Sequence, residues 1–149
     1  MARAVVPILL ALVLSFGAVA CGQDSSDEFK DQYNEAVRPL SQLGDDVVAS
    51  LSGAGERSDR ELARQLDRYA DNAERVRRNL SELDPPEDTT DQFNDLLAAL
   101  KQSVADLRQV GASAKEGDPA EAERATQDLV ASGQRLQRAE SAFRNAVEG

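Results

Sequence analysis

The sequence predicts an all-α protein, an antiparallel up-down-up-down four-helix bundle behind a cleaved leader. Three observations carry this expectation. Four stretches repeat apolar residues at steps of three and four, the period of a helix face. Aromatics make up 4% of the chain, with no tryptophan, and the mature part is built from Ala, Leu and Val among Glu, Gln, Arg and Asp, a mixture that favours helix over strand. Helix-start chemistry stands ahead of these stretches, and glycine or proline closes them. Helices of about 25 residues joined by short connections run antiparallel to their neighbours and share one core.

The first helix is expected from Ser26 to Ser52, entered through Ser25 and Glu28 at capping-box spacing, where each side chain satisfies the other's free amide. Its stripe is Phe29, Tyr33, Ala36, Leu40, Leu43, Val47 and Leu51. Pro39 falls within it and lacks an amide hydrogen, at a cost of about 3 kcal/mol in a helix interior. The stripe stays in phase across it, which predicts a kink, with two shorter helices as the alternative. Ser52 to Arg57, containing Gly53 and Gly55, is a loop.

Ser58 and Glu61 repeat the capping-box spacing ahead of the second helix, whose stripe is Leu62, Leu66, Tyr69, Ala73, Val76, Leu80 and Leu83. Pro85 and Pro86 stop it by Asp84, since they withhold two donors and restrict the residue before them. Thr89 and Gln92 have the same capping spacing before the third helix, which carries Phe93, Leu97, Leu100, Val104 and Leu107 and fades near Gly111, with Gly117 as a stop. Asp118, Pro119 and Glu121 then supply a capping acid, a proline at the first helical position and an acid in the first turn. The fourth stripe is Ala122, Ala125, Leu129, Leu136, Ala139 and Phe143, with Gly133 at a buried seam.

Ahead of the bundle, Arg3 forms a positive n-region, Val5 to Leu14 an apolar h-region, and Ser15 to Ala20 a run of small residues. An h-region of about ten residues covers roughly 15 Å as a helix, half of a hydrocarbon core of about 30 Å, so it targets the chain without spanning. Ala18-Val19-Ala20-Cys21 resembles the lipobox of bacterial lipoproteins, with Ala18 where that family has leucine. The resemblance implies cleavage between Ala20 and Cys21 and a diacylglyceryl group on Cys21, the only cysteine of the chain. The competing reading is an ordinary signal peptide that leaves a free thiol, an odd leftover in an oxidising compartment. The expected organisation is a leader over 1–20, a lipidated Cys21 with a short tether to residue 25, and a bundle over 26–149. The tether, Gly22 to Ser25, reaches roughly 13 Å at full extension and keeps the bundle close to the membrane.

Charge and composition exclude several functions. Losing residues 1–20 removes Arg3 and no acid, so 27 acids then stand against 16 bases, a net charge of −11. Such a domain has no clustered cationic face for nucleic acid or anionic lipid. Histidine is absent, which removes the usual base near neutral pH and the common zinc and copper ligands. Lys30, Lys101 and Lys115, the only lysines, sit among polar neighbours unsuited to activating a serine. No catalytic residue, metal or cofactor is expected. Asp84, Glu87, Asp88 and Asp91 lack the spacing of a calcium loop and read as solvated acids at a helix start.

Two surfaces remain as candidates. Arg57, Arg60, Arg64, Arg68, Arg75 and Arg78 fall within about 80° on the second helix at 100° per residue, opposite its stripe. Such a ridge suits an acidic partner, because guanidinium groups bind carboxylates bidentately. A self-paired solvated face competes with this reading, since Asp71–Arg75 and Glu74–Arg78 have i, i+4 spacing and Asp67 and Glu82 border the sector. Tyr33 and Tyr69 are candidates for lining a ligand cavity, their hydroxyls expected at the bundle edge. Ala36, Ala73, Ala122, Ala125, Ala139 and Gly133 are expected to allow close helix approach.

Leu80-Ser81-Glu82-Leu83-Asp84-Pro85-Pro86-Glu87, followed by the helix Phe93 to Leu107, resembles small secreted lipoproteins of high-GC Gram-positive bacteria. That resemblance implies an outward-facing, membrane-tethered helical domain and carries over no functional residue except Cys21. The function expected first is a non-enzymatic interaction or scaffolding module of the cell envelope, lipid-anchored and facing an envelope protein. The alternative is a carrier or sensor that takes an apolar or small solute within the bundle. No motif specifies an oligomeric state.

Overall fold

The structure, a computed structural model, describes residues 21–148, with side chains from Asp27 onward apart from Glu56. The leader with its Ala18-Val19-Ala20, and the Cys21 side chain, lie outside the described residues. Four helices, α1 (Cys21–Ser52), α2 (Asp59–Ser81), α3 (Thr90–Glu116) and α4 (Pro119–Glu148), are joined through short 3-10 turns at Ala54–Glu56 and Glu87–Thr89 and directly at Gly117. They form an all-α four-helix bundle in which α2 packs on α1 and α3, and α3 packs on α4. Among the described residues no helix is long and apolar enough to cross a membrane.

α1 starts earlier than its capping signal indicated. Gly22 to Ser25 is already helical, so it advances about 6 Å and not the 13 Å of an extended tether. Gly22, Asp24 and Ser25 are weak helix formers, yet extending a helix is cheap beside nucleating one. Ser25 therefore stands inside α1, and Glu28 accepts a hydrogen bond from Gln32 at 3.2 Å. α1 runs through Pro39 as one helix, with the proline on the exposed side.

Ser58 and Glu61 do begin α2: the Glu61 carboxylate accepts from the Ser58 amide at 3.3 Å and from its hydroxyl at 2.8 Å. Thr89 behaves differently. The turn after the two prolines leaves it at φ −112°, ψ 2°, away from the extended backbone of a capping residue. Its buried hydroxyl donates back to the Pro86 carbonyl at 2.9 Å, and Gln92 Oε1 is buried without a partner. α3 does not fade at Gly111, which is buried where α3 meets α2. A Cβ there would lie 3.5 Å from the Ala63 carbonyl and Leu66 Cβ. The stop is Gly117, at φ +71°, a left-handed conformation that glycine adopts without penalty. Asp118 Oδ1 then accepts the amides of Ala120 at 3.0 Å and Glu121 at 3.1 Å, with Pro119 at the first helical position, as the sequence indicates.

The core has two storeys. One gathers the start of α1, the end of α2, the start of α3 and the end of α4: Phe29, Tyr33, Val76, Leu80, Phe93, Leu96, Leu100 and Phe143. Its rings interlock, with Phe143 5.0 Å from Tyr33, 5.2 Å from Phe93 and 6.0 Å from Phe29 between centroids. The other storey holds Leu62, Leu66, Ala70, Ala73, Val104, Leu107, Val110 and Ala125, and none of these comes from α1. Leu43, Val47 and Leu51 of α1 lie against it only half-buried.

Candidate functional site: an apolar slot between α1 and α4

The helices that close the ring, α1 and α4, are held at one end by the aromatic storey. Large rings set the spacing there. Farther along, the facing residues are glycine and aliphatic side chains too short to meet across it, and a slot of about 280 Å³ opens. α1 contributes Leu40, Leu43, Gly44, Val47, Val48 and Leu51, and α4 contributes Leu129, Val130, Gly133 and Leu136. The floor is Ala73 of α2 with Leu100, Ser103, Val104 and Leu107 of α3. Ser103 is the one hydroxyl among them, and it donates to the Ala99 carbonyl within its own helix. Val48 and Val130 form the lips and are 65% and 55% exposed.

Gly133 is therefore not at a buried seam. It and Gly44 border the slot, and a Cβ at either would have nothing within 4 Å. The sequence held one signal for this site. Val47-Val48 and Leu129-Val130 are adjacent apolar pairs, which widen the apolar face beyond a packing seam.

Neither tyrosine lines the slot. Tyr33 is 5% exposed in the aromatic storey, and its hydroxyl is buried without a partner rather than at the bundle edge. Burial, reinforced by the Glu140 charge and partly offset by Arg144, pushes its phenol up to about 12. It borders a smaller cleft of about 110 Å³ at the end of α1 and α4, lined also by Lys30, Asn34, Arg144 and Glu148. Tyr69 is turned toward α1, where its hydroxyl lies 3.1 Å from Ser50 Oγ and accepts from Gln65 Nε2 at 2.6 Å.

The six arginines of α2 and its approach are all exposed but do not converge on one site. Arg57, Arg64 and Arg68 border a shallow cleft with Glu61 and Gln65, whereas Arg75 faces a separate cleft beside α1 that includes Asp46 and Asn79. The expected i, i+4 pairs do not form. Asp71 reaches across to Arg108 of α3 at 3.2 Å, and Glu74 takes Arg77 in a two-pronged bond at 2.7 and 2.9 Å, which holds its carboxyl below the usual range. Arg75 bonds Asn72 instead. Three-residue spacing lets the planar guanidinium meet both oxygens of Glu74. Among the described residues no group of three or more His, Cys, Asp or Glu is arranged to hold a metal ion, Asp84, Glu87, Asp88 and Asp91 included.

No protein-family model, no curated protein and no solved structure matches the chain.

Proposed function

We propose that this chain is a membrane-anchored extracytoplasmic lipoprotein whose helical bundle catalyses no reaction and takes an apolar ligand into the slot between α1 and α4. The observation that carries the reading is the slot itself. It is lined by residues of all four helices, has no free polar group in its lining, and is open to solvent at two exposed valines. A bundle stabilised only by its own packing gains by closing such a space, since each buried methylene is worth about 0.8 kcal/mol. This reading favours the carrier or sensor over the scaffolding module. Cys21 supplies the anchor: a diacylglyceryl group holds to a bilayer without help, which suits a domain with no cationic membrane patch.

Native mass spectrometry of protein purified gently from its membranes tests the ligand. An apolar mass that leaves on denaturation is the expected result, and a bare protein mass overturns the reading. Cys21→Ala tests the anchor, with loss of lipidation and of membrane attachment expected. A mutant that matures normally and stays on the membrane would sink that assignment.

A second reading rests on Arg64 and Arg68. Both are exposed, and among the described residues neither has a carboxylate within 4.0 Å. They are suited to an acidic partner protein, and reversing both charges is expected to abolish its capture; unchanged capture overturns this reading.

A further inference from the structure

Bases are the scarce charge in this chain, 17 against 27 acids, yet Arg64 and Arg68 stand exposed with no carboxylate within 4.0 Å among the described residues. Carboxylates are close in the sequence. Glu61 and Asp67 lie three residues to either side of Arg64, and Asp71 three beyond Arg68, spacings at which helix side chains meet. Each is drawn elsewhere. Glu61 turns back to the Ser58 amide and hydroxyl at 3.3 and 2.8 Å. Asp71 crosses to Arg108 of α3 at 3.2 Å. Asp67 leans toward α3, where its Oδ1 lies 3.5 Å from the place of a Cβ at Gly111. The neutralising partner that Arg77 of the same helix finds in Glu74 is therefore missing at Arg64 and Arg68.

A third guanidinium is set beside these two. Arg57 donates from Nη1 to Gln65 Oε1 at 3.2 Å, Gln65 Nε2 donates to the Tyr69 hydroxyl at 2.6 Å, and that hydroxyl lies 3.1 Å from Ser50 Oγ of α1. This run of bonds leads from an exposed arginine to a buried serine and holds Arg57 over the cleft it shares with Glu61, Arg64, Gln65 and Arg68. A long side chain held in place beforehand loses less entropy when it binds. Arg64 also borders a second hollow with Arg60, Asp67 and Lys115 of α3, so two further cations flank the cleft on that side.

The pattern selects a partner. Arg64 and Arg68 are one helical turn apart, about 6 Å, the spacing of two carboxylates at i, i+4 on another helix. Guanidinium forks take such carboxylates two-pronged. A long polyphosphate or nucleic acid carries its charge past the cleft onto Glu61, Asp67 and the rest of a net negative surface, and is repelled there. A short acidic segment ends within the cleft. The membrane attachment is also remote: from Cys21 to Ser50, which bonds the residue next to Arg68, α1 rises about 43 Å, several times the screening length of about 8 Å at physiological salt.

We infer that Arg57, Arg64 and Arg68 form the docking site for a short acidic segment of another protein, one that presents carboxylates about 6 Å apart. This rests on the acidic-partner reading above and is independent of the slot. The test uses the full chain in nanodiscs of uncharged lipid and a fluorescent peptide of about twelve residues with glutamates at i, i+4. Binding, read by fluorescence anisotropy, is expected to weaken at least ten-fold between about 50 and 500 mM salt. Arg64→Gln with Arg68→Gln should weaken it at least ten-fold with helical content unchanged, and Arg57→Gln several-fold. Arg64→Lys with Arg68→Lys should also weaken it several-fold, since lysine keeps the charge and loses the fork. Arg75→Gln with Arg78→Gln removes the same charge from the same helix and should bind as the parent does. Equal losses from the two glutamine pairs overturn the cleft assignment and leave the acidic-partner reading standing. Short polyphosphate or vesicles of anionic phospholipid that displace the peptide at equal concentrations of charge put a phosphate group in the protein's place and overturn the inference. If the peptide does not bind at all, the inference and the acidic-partner reading fail together.

Discussion

Ser50 Oγ lies 3.1 Å from the Tyr69 hydroxyl, and among the described residues this is the one side-chain hydrogen bond from α1 to another helix. It sits beside the storey to which α1 contributes no fully buried apolar side chain. The bond therefore holds the half of α1 that packing holds least. Ser50 is 2% exposed, so its polar atom has no recourse to solvent.

Ser50→Ala is expected to cost about 1 kcal/mol of global stability, since Tyr69 keeps its bond to Gln65. The larger effect is local. Hydrogen exchange should quicken over Leu43 to Leu51 more than in α2 or α3, because local opening follows the regions with fewest buried contacts.

Phe143 meets Phe29, Tyr33 and Phe93 and is completely buried. Phe143→Ala should destabilise the bundle by about 3–5 kcal/mol, measured by chemical denaturation. Because this ring joins α4 to α1, its loss should expose Phe29 as well.

The Tyr33 hydroxyl is buried without a partner, so Tyr33→Phe is expected to stabilise the fold by about 1 kcal/mol at neutral pH. The phenol ionises near 10 when unfolded and near 12 when folded. Its contribution to stability is complete below pH 10 and is lost as pH rises toward 12. Denaturation curves for the parent should fall across that window, and those for Tyr33→Phe should fall less.

On the acid side, the Ser58 hydroxyl, and after it the Ser58 amide, hold the Glu61 carboxyl below its ordinary 4.5, and Arg77 does the same for Glu74. Depressed carboxyls contribute stability above their unfolded value and lose it as pH falls through the folded one. Glu61→Gln should flatten the loss of stability below about pH 4.5, read as a smaller shift of the thermal midpoint between pH 5 and pH 3.

Much of the bundle was legible because local chemistry and tertiary packing agree. Ser58 with Glu61, Pro85-Pro86, and Asp118 with Pro119 mark ends that the fold uses. Legibility failed where the two diverge. Ser25 and Gly111 carry terminal signals overridden by helix continuation and by α2–α3 packing. Of the adjacent pair Leu96 and Leu97, it is Leu96 that is fully buried, in the aromatic storey with Phe93 and Leu100. The slot was the least legible feature. A periodic stripe shows which face of α1 is apolar, but not that Leu43 and Val47 of that face border an open slot beside α4.

Phe29 and Phe143 stand 114 positions apart in the chain, yet their rings touch edge to face. The first and last helices thus share a single clasp. Shortening the chain from either side unfastens the same joint, so trimming Phe29 away and trimming Phe143 away should yield the same lesion, a three-helix remnant with its largest side chains bare. The two ends of this molecule have one fate.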